Sequence, residues 1–312
     1  MNTEPAIIVS GLSHQYGERR ALKDVSFSVQ RGEIFAFLGP NGGGKTTLFR
    51  VLSTLVPPQS DGSVSILGNN VRTNVSQVRC DIGVVFQAPS VDRKLTVQEN
   101  LRHQAALYGI PKAVYVERRD QFLNQMGLSD RRNDYVETLS GGLRRRVELA
   151  KGMLHHPRVL LMDEPSTGLD PGARSDLWVY LRKLRDESSV TILMTTHLLE
   201  EAEKADRIAI INEGSIVALD EPGTLCAELG GDVITIKSPD SESLAAKIEA
   251  QFGVNATQVD SALRMELENG HDWIQKLVAA FPDDIDSIRL GKPTLEDVFI
   301  ARTGHQFWAG DA

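Results

Sequence analysis

The segment "EIFAFLGPNGGGKTTLF" constrains the fold of this chain more than any other part of its sequence. Its continuous apolar run is typical of a strand buried on both faces, and a glycine-rich turn then leads into helical spacing. Residues 39–46 fit the pattern G-x-x-x-x-G-K-[ST] in the strand, turn and helix context that this pattern requires. We therefore predict a phosphate-binding loop whose backbone N–H groups surround a β-phosphate, with Lys45 on the β and γ oxygens and Thr46 on Mg²⁺.

Strands and helices alternate through the rest of the first 222 residues. Residues 1–30 show the short apolar alternations of β-strands, and "RVLLMDEP" and "VTILMTTH" are two further buried-strand runs. Helical spacing marks 172–187, much of 95–153, and the segment after the phosphate loop as far as Pro57. This alternation predicts an α/β fold with a parallel sheet and with ligand chemistry at the carboxyl ends of its strands.

The pattern changes after about residue 222. Strand-like segments "DVITIKS", "ATQVDSA", "LRMELEN" and "IDSIRLG" alternate with helices at 241–252 and 271–281, and a last helix, "TLEDVFIARTG", follows Pro293. The order β-α-β-β-α-β is that of a small ferredoxin-like α+β domain. We therefore predict two domains, at 1–222 and 223–312.

Asp163 and Glu164 stand side by side at the end of the "VLLMDEP" run. An acidic pair at a strand end is usually a solvated turn, but a phosphate-binding loop upstream favours a catalytic pair. In that interpretation Asp163 holds Mg²⁺ and Glu164 is the general base for an attacking water.

Three other residues are weak signals when each is taken alone. His197 ends another strand, where a polar strand end or a helix cap is the more common role. Gln87 in "GVVFQAPS" occupies a similar position. Tyr16, 23 residues before the loop, could stack on an adenine, although a single aromatic residue is more often part of a core.

Composition excludes several classes of protein. No run approaches the ~18 apolar residues of a membrane helix, and "MNTEPAIIVSGL" lacks the basic and apolar regions of a signal peptide, so we expect any membrane role to come through a partner. Residues 231–312 hold 14 acidic and 7 basic side chains and 1–230 are nearly neutral, which disfavours a nucleic acid partner. Cys80 and Cys226 lack metal-ligand spacing and fit a reducing compartment.

Taken together, the motifs resemble one family. The phosphate loop, Gln87, "LSGG" at 139–142, "LLMDEP", "STGLD" and His197 occur in the order seen in the nucleotide-binding subunits of ABC (ATP-binding cassette) transporters. The resemblance covers residue 5 to about 222, and "LSGG" before a D-E strand is specific to this family. It implies a P-loop cassette with a mixed sheet core, an N-terminal antiparallel β part and a helical subdomain at about 95–153.

The resemblance also implies a head-to-tail pair of cassettes, in which each ATP lies between the phosphate loop of one cassette and the signature motif of the other. Ser140, Gly141 and Gly142 would then bind the γ-phosphate of the partner's ATP, since glycines at a helix start let backbone N–H groups approach an anion closely. Asp170 would cross the interface. The implied nucleotide site in one chain comprises Tyr16, Gly39, Pro40, Asn41, Gly42, Gly43, Gly44, Lys45, Thr46 and Thr47, with Mg²⁺ on Thr46, Gln87 and Asp163 and with Glu164, His197 and Gln87 as the catalytic residues.

The chain departs from the family pattern at two positions. Leu143 stands where the family usually has glutamine or another polar residue, and leucine cannot hydrogen-bond a ribose in trans. Gly43 stands where alanine or serine is favoured, which adds glycine's entropy cost of ~0.5–1 kcal/mol but leaves the N–H cradle intact. The basic run at 144–146 (Arg144, Arg145 and Arg146) would add positive potential near the shared phosphates, although such a run on a helix is usually a solvated face.

Within the family, "YGERRAL", "SGGLRRRVELA", "STGLDP" and the tail are similar to ATPase subunits of drug-resistance-type exporters, which pair with a separate six-helix membrane protein. The resemblance implies an ATPase held at the cytoplasmic face of the membrane by its permease, with the coupling contact in the helical region. The alternative is a non-transport cassette ATPase, but the sequence has neither the coiled coil nor the cysteine cluster of the DNA-repair types. Residues 223–312 would stabilise the dimer or regulate it.

Overall fold

The structure is a computed structural model that describes residues 4–59, 62–259 and 262–307. By its internal contacts the chain divides into two compact units, Met1–Ile216 and Val217–Ala312. The predicted division at 222/223 follows the change in sequence pattern, whereas the packing already changes at Ile216.

Ten strands lie among the described residues that precede the first helix of the second unit. They are β1 (Ile7–Tyr16), β2 (Arg19–Val29), β3 (Ile34–Leu38), β4 (Ser63–Ile66), β5 (Asn69–Asn70), β6 (Ile82–Val85), β7 (Val159–Asp163), β8 (Thr191–Thr196), β9 (Arg207–Asn212) and β10 (Ser215–Asp220). One sheet is antiparallel with the order β2-β1-β4-β5, and the other has the order β10-β9-β3-β8-β7-β6. In the second sheet β3 pairs in parallel with β8 and β9, and β7 pairs in parallel with β8 and β6.

The three predicted buried strands lie next to one another in the six-stranded sheet. Every residue of β3, β7 and β8 is buried, as expected for parallel strands that are covered on both faces. Their carboxyl ends therefore meet at one edge of the sheet, where Leu38, Asp163 and Thr196 are the last strand residues. This edge is the place that an open parallel sheet offers for ligand chemistry.

Seven α-helices lie in the described part of the first unit. They are α1 (Lys45–Leu52), α2 (Val75–Asp81), α3 (Val97–Leu107), α4 (Lys112–Gln125), α5 (Gly141–Met153), α6 (Pro171–Ser188) and α7 (Leu199–Ala202). The predicted helical region at 95–153 thus contains α3, α4 and α5. A capping box between Thr96 and Glu99 starts α3, and Gly109 and Gly127, both with left-handed φ, follow the ends of α3 and α4.

Helix α1 is shorter than its sequence predicts. The helical spacing continues to the prolines at 57 and 58, but the helix ends at Leu52. Thr54 adopts a φ of 60°, and the N–H groups of Leu55 and Val56 both donate to the carbonyl of Arg50. The chain turns at Thr54 because this turn satisfies a carbonyl at the helix end, so no proline is needed to stop it.

The second unit contains a four-stranded antiparallel sheet. Its elements are α8 (Pro222–Glu228), β11 (Asp232–Lys237), α9 (Ser241–Phe252), β12 (Thr257–Val259), β13 (Ala262–Leu267), α10 (Gly270–Ala280), β14 (Ser287–Gly291) and α11 (Leu295–Thr303). The strand order is β12-β13-β11-β14, and from β11 to β14 the elements follow the ferredoxin-like order β-α-β-β-α-β. Residues 260 and 261 of the predicted "ATQVDSA" strand lie outside the described residues.

A compact apolar core holds this second sheet. Alternate residues of β11 and β13 point to the face that α9 and α10 cover. The buried members of this core are Ile234, Ile236, Leu244, Ile248, Leu263, Met265, Leu277 and Phe281. The unit therefore has its own hydrophobic core.

Candidate active site

The phosphate loop connects β3 to α1 and is pressed against neighbouring backbone. A Cβ atom on Gly39 would lie 2.3 Å from the carbonyl oxygen of Ile211. Gly44 has a φ of 111°, and a Cβ atom there would lie 2.7 Å from the carbonyl oxygen of Ala21. These two glycines are therefore required by close packing and by backbone conformation, before any ligand is considered.

Gly43 is held from two sides. Its N–H donates to the carbonyl of Pro40 at 3.2 Å, and its own carbonyl accepts from the N–H of Gly214 at 2.9 Å. A Cβ atom would lie 3.1 Å from the Pro40 oxygen, which is tighter than ordinary contact. Glycine therefore suits this position in the loop, where the family favours alanine or serine.

Lys45 lies under the loop with only 4% of its side chain exposed. Its Nζ donates to the carbonyls of Gly39 at 2.6 Å and Pro40 at 3.0 Å, and it lies 3.5 Å from Glu164 Oε1. Burial lowers the pKa of the Lys45 ammonium, while the nearby Glu164 and Asp163 carboxylates act in the opposite direction. The cation is thus placed between the loop carbonyls and the carboxylates at the strand end.

Asp163 and Glu164 follow β7, and Thr195 of the neighbouring β8 contacts both. Thr195 Oγ1 donates to Asp163 Oδ1 at 2.5 Å and accepts from the Glu164 N–H at 3.0 Å. Burial raises the pKa of Asp163, and the Thr195 hydrogen bond opposes that rise. Glu164 has a φ of 42°, a left-handed conformation that is uncommon for a residue with a side chain and that recurs at functional sites.

The Glu164 carboxylate brings together residues that are far apart in the sequence. Its Oε2 accepts from Gln87 Nε2 at 3.1 Å and from Thr167 Oγ1 at 3.3 Å, and it lies 3.0 Å from His197 Nδ1. The structure therefore places the three predicted catalytic residues, Glu164, Gln87 and His197, around one oxygen atom. A carboxylate oriented in this way can accept a proton from a water molecule.

A cavity of about 320 Å³ lies beside these residues. Its lining residues are Tyr16, Arg19, Ala21, Asn41, Gly42, Gly44, Lys45, Thr46, Thr47, Gln87 and Glu164. Tyr16 is 43% exposed and packs edge to face against His14, with a ring centroid distance of 4.7 Å. The cavity thus has an aromatic side chain, a phosphate loop and a carboxylate along its wall.

Sequence reasoning missed Arg19. Its Nη2 donates to the carbonyl of Gly42 at 3.1 Å, so the turn between β1 and β2 lies against the phosphate loop. The residue is visible in "YGERRAL", but an arginine in a short turn is normally a solvated side chain. Only the long-range contact between the turn and the loop distinguishes Arg19 from Arg20.

The signature residues do not line this cavity. Ser140 caps α5, where its Oγ accepts from the N–H of Leu143 at 3.3 Å. A Cβ atom on Gly142 would lie 2.9 Å from the side chain of Ala173 in α6, whereas one on Gly141 would meet only the Gly168 oxygen, at 3.9 Å. Gly142 is therefore needed for helix packing, and Gly141 borders open space.

Asp170 has a structural role within the chain. It is the N-cap of α6, and its Oδ1 accepts from the N–H of Ala173 at 2.9 Å. Pro171 follows at the first helical position, as is common at helix starts. The predicted contact across a dimer interface would be made by a side chain already oriented by this cap.

The side chains of the arginine run at 144–146 each contact other parts of the same chain, but only Arg145 is buried. Arg145 is 8% exposed, donates to the carbonyls of Pro165 and Phe86 at 2.7 Å each, and pairs with Glu148 at 2.6 Å. Arg144 donates to the Leu139 carbonyl at 2.7 Å, and Arg146 pairs with Asp176 at 2.6 Å. The side chains anchor α5 to its surroundings, which neither sequence interpretation of the run anticipated.

The residues present fit a magnesium ion that is carried largely by phosphate. Among the described residues no group of three or more His, Cys, Asp or Glu side chains could hold a metal alone. The site instead offers the Asp163 carboxylate at the end of β7, and the Thr46 hydroxyl and Gln87 amide at the cavity. Mg²⁺ prefers such a site, with a few protein oxygens beside phosphate and water.

The ends of β3, β8 and β7 thus carry a phosphate loop, a histidine and an Asp-Glu pair. Together they define a P-loop nucleoside triphosphatase. A family model described as "ABC transporter" matches residues 22–167. The chain belongs to the ABC transporter family, in which it is an ATP-hydrolysing subunit of the drug-export type.

Relatives extend the similarity well beyond residues 22–167. The daunorubicin/doxorubicin resistance ATP-binding protein DrrA of Streptomyces peucetius is 36% identical, over 98% of this chain and 95% of its own length. The linearmycin resistance ATP-binding protein LnrL of Bacillus subtilis is 33% identical, over 93% and 95% respectively. The Nod factor export ATP-binding protein I of Ralstonia nicotianae is 39% identical, over 78% and 76%.

Solved cassettes share the fold. The structure of cbiO1 from Clostridium perfringens, part of the ABC transporter complex cbiONQ, matches with a TM-score of 0.67 and 26% identity, over 80% of this chain and 96% of that one. The ADP conformation of MJ1267, an ATP-binding cassette of an ABC transporter, matches with a TM-score of 0.63 and 26% identity, over 70% and 91%.

None of these proteins supports the alternative of a non-transport cassette ATPase. Within the described residues, no helix is both long and apolar enough to cross a bilayer.

Proposed function

We propose that the cavity beside the phosphate loop binds ATP and that Glu164 activates the water that attacks the γ-phosphate. The observation that carries this proposal is the position of the Glu164 carboxylate. It contacts Gln87, Thr167 and His197 beside the cavity that the phosphate loop lines. Tyr16 would stack on the adenine, and backbone N–H groups within residues 41–47 would hold the phosphates.

Hydrolysis would proceed by proton transfer to Glu164. The water oxygen forms a bond to the γ-phosphorus as its proton passes to the carboxylate, and the bond to the bridging oxygen breaks so that ADP leaves. Lys45 would exchange its bonds to the Gly39 and Pro40 carbonyls for bonds to phosphate oxygens. His197 would lie between Glu164 and the γ-phosphate and orient the water.

Magnesium would be held by Asp163, Thr46 and Gln87. When bound, the ion neutralises charge on the β and γ phosphate oxygens. Asp163 is oriented for this task by the hydroxyl of Thr195. The residues of this chain supply the carboxylate, hydroxyl and amide oxygens that such an ion prefers.

We further propose that two copies pair head to tail, so that Ser140, Gly141 and Gly142 of one copy hold the γ-phosphate bound to the other. Three features support the pairing: the start of α5 is capped, Gly141 borders open space, and the starts of α5 and α6 are packed together through Gly142. Asp170 would reach across the same interface. The γ-phosphate would thus hold the copies together until hydrolysis removes it.

The pair would power a separate membrane permease and be held by it at the cytoplasmic face of the membrane. The relatives named for resistance to daunorubicin, doxorubicin and linearmycin support export as the direction of transport. The exported molecule would be selected by the permease. The second unit would stabilise or regulate the pair of cassettes.

Substitution of Glu164 by glutamine tests the hydrolytic role and the pairing together. Glu164→Gln is expected to bind ATP, to lower kcat by about 10²–10⁴-fold, and to convert from monomer to dimer when MgATP is added. Glu187→Gln, at an exposed position of α6, is the matched control and should hydrolyse ATP like the wild type. A Glu164→Gln variant that stays monomeric in light scattering at saturating MgATP would refute the proposed pairing.

Mixed dimers test which residues share a site. A dimer of one Lys45→Ala chain and one Ser140→Ala chain contains one intact composite site, while each parent homodimer contains none. We expect the mixed dimer to recover activity that neither parent has. Activity no higher than that of the parents would count against the shared site.

Co-purification tests the membrane partner. A tagged Glu164→Gln chain, loaded with MgATP in detergent-solubilised membranes of its source, should retain a polytopic membrane protein in near-equal amount. Recovery of the chain with ribosomes, with nucleic acid or alone would argue against transport.

A further inference from the structure

Thr195 lies at the carboxyl end of β8, where the parallel register pairs it with Asp163. The residue is 0% exposed. Its hydroxyl donates to Asp163 Oδ1 at 2.5 Å and accepts from the Glu164 N–H at 3.0 Å, and its own carbonyl accepts from the same N–H at 3.2 Å. One buried hydroxyl therefore bridges the side chain of one site residue and the backbone of the next.

We infer that Thr195 is a positioning residue that sets the Asp163 carboxylate for magnesium and fixes the backbone turn that presents Glu164. This inference rests on the proposed function, in which those two residues hold the metal and activate water. A hydroxyl has one hydrogen to donate and lone pairs to accept with, and here both capacities are used on adjacent residues. Groups that orient a metal-binding side chain contribute strongly to metal affinity although they do not touch the metal.

The geometry explains why a hydroxyl is needed at this position. Glu164 has a left-handed φ of 42°, and its N–H points at Thr195, which supplies both of the oxygen atoms that accept from it. Asp163 is 4% exposed, and the hydroxyl donates directly to its carboxylate. A valine would fill the same space as Thr195 but would leave Asp163 Oδ1 without this donor.

The same strand provides two comparisons. Thr196 uses its hydroxyl elsewhere, since it donates to Glu201 Oε2 at 2.7 Å and accepts from the Leu198 N–H at 3.0 Å. Thr191, at the opposite end of β8, is 2% exposed, and its hydroxyl accepts from the Gly32 N–H at 3.0 Å. Thr191→Val thus removes an equally buried hydroxyl from the same strand at the end away from the site.

The test measures how much magnesium strengthens binding of a non-hydrolysable ATP analogue, AMP-PNP, to the full chain. Affinity is determined once with Mg²⁺ and once with EDTA, and the ratio of the two reports metal binding without requiring turnover. For Thr195→Val we expect this ratio to fall about 10- to 100-fold, with little change in the EDTA affinity. Thr195→Ser, which keeps the hydroxyl, should restore the ratio, and Thr191→Val should keep the wild-type ratio.

The possible failures can be told apart. A wild-type chain that does not bind AMP-PNP would overturn the proposed function and this inference with it. A wild-type ratio in Thr195→Val, or an equal fall in Thr191→Val, would overturn the inference alone. Thr195→Ala carries the same expectation as Thr195→Val and replaces it if the valine variant unfolds at a lower temperature than Thr191→Val.

Discussion

The two glycine-rich helix starts of the first unit differ in what surrounds them. At the start of α1, Gly39 and Gly44 are closed in by backbone of the same chain, within 2.3 Å and 2.7 Å of an added Cβ atom. At the start of α5, Gly142 is closed in by Ala173, but Gly141 would meet an atom only at 3.9 Å. The first start is complete within one chain, whereas the second leaves open the face that we propose a partner's nucleotide occupies.

The positively charged side chains at the two helix starts differ in the same way. Lys45 at the first start lines the cavity, donates to loop carbonyls that a phosphate can replace, and pairs with Glu164. Arg145 at the second start is buried against Phe86, Pro165 and Glu148. One positive charge is thus available to a ligand, and the other is used to build the protein. The comparison teaches that the two starts would hold phosphate in different ways: the first adds the charge of Lys45, whereas the second offers the backbone N–H groups of its glycines without the charge of Arg145.

The largest expected effect concerns the structural cation. Arg145→Leu leaves the Glu148 carboxylate buried and without its charge partner, which should lower the free energy of unfolding by about 3–5 kcal/mol. Arg144→Leu is the matched control and should cost less than about 1 kcal/mol, because only a single bond to a backbone carbonyl is lost. Urea denaturation measures both. Equal losses in the two variants would contradict the assignment of Arg145 to structure.

A smaller effect is expected from alanine in the two glycine-rich segments. Gly39→Ala forces a methyl group against the Ile211 carbonyl, so we expect a loss of about 1–3 kcal/mol in stability and loss of ATP binding. Gly141→Ala should fold as stably as the wild type, because the methyl group has space and alanine favours a helix. It should nevertheless fail to form the ATP-dependent dimer. If Gly141→Ala unfolds as easily as Gly39→Ala, the second start is as closed as the first.

The ligand-binding cation gives the next effect. Lys45→Ala removes charge-assisted bonds to the phosphates, worth about 1.5–3 kcal/mol, so ATP affinity should fall roughly 10- to 150-fold. Ser140→Ala should leave ATP affinity unchanged when the chain is dilute and monomeric, because the second start contacts only the partner's nucleotide. Isothermal titration calorimetry distinguishes the two. An equal loss of affinity in the dilute Ser140→Ala variant would place both starts in one site.

The smallest expected effect concerns His14, an ionisable side chain that packs against Tyr16 beside the cavity in which we propose that ATP binds. His14 is 2% exposed, neither ring nitrogen has a hydrogen-bond partner among the described residues, and burial lowers its pKa. Below pH 6.5 the unfolded chain therefore takes up a proton that the folded chain resists, and stability falls as the pH falls towards the folded pKa. His14→Leu should stabilise the chain by about 1 kcal/mol at pH 7.5, and by more at pH 5.5.

Urea midpoints at pH 7.5 and pH 5.5 measure this difference. His103→Leu, on the exposed side of α3, is the control for replacing a histidine by leucine and should change stability by less than about 0.5 kcal/mol. A gain for His14→Leu that is the same at both pH values would show that the ring does not remain neutral in the folded chain.

The sequence predicted those features that depend on local pattern. Three buried runs gave β3, β7 and β8, and "GPNGGGKT" gave the phosphate loop, because buried strands and glycine turns have local signatures. The β-α-β-β-α-β order of the second unit was also visible, since apolar residues there alternate within each short strand. The family resemblance added the signature residues Ser140, Gly141 and Gly142. No local pattern reveals their role, because the phosphate that we propose they bind belongs to the partner's nucleotide.

What the sequence did not predict depends on contacts between distant segments. Arg145 was assigned to a basic run because nothing local shows that Phe86 and Pro165 lie above it. Arg19 and Thr195 were missed for the same reason, since each contacts a segment that is distant in the sequence and that only the fold brings close. The early end of α1 depends on a turn at Thr54, and threonine rarely adopts that conformation.

The contacts of Glu164 join separate parts of the chain at one carboxylate. Gln87, Thr167 and His197 belong to three separate segments and all contact its Oε2, while its Oε1 lies 3.5 Å from Lys45 Nζ. A displacement of any one of these segments changes the position of the group that we propose accepts the proton. We therefore expect the rate of hydrolysis to depend on the conformation of three segments at once.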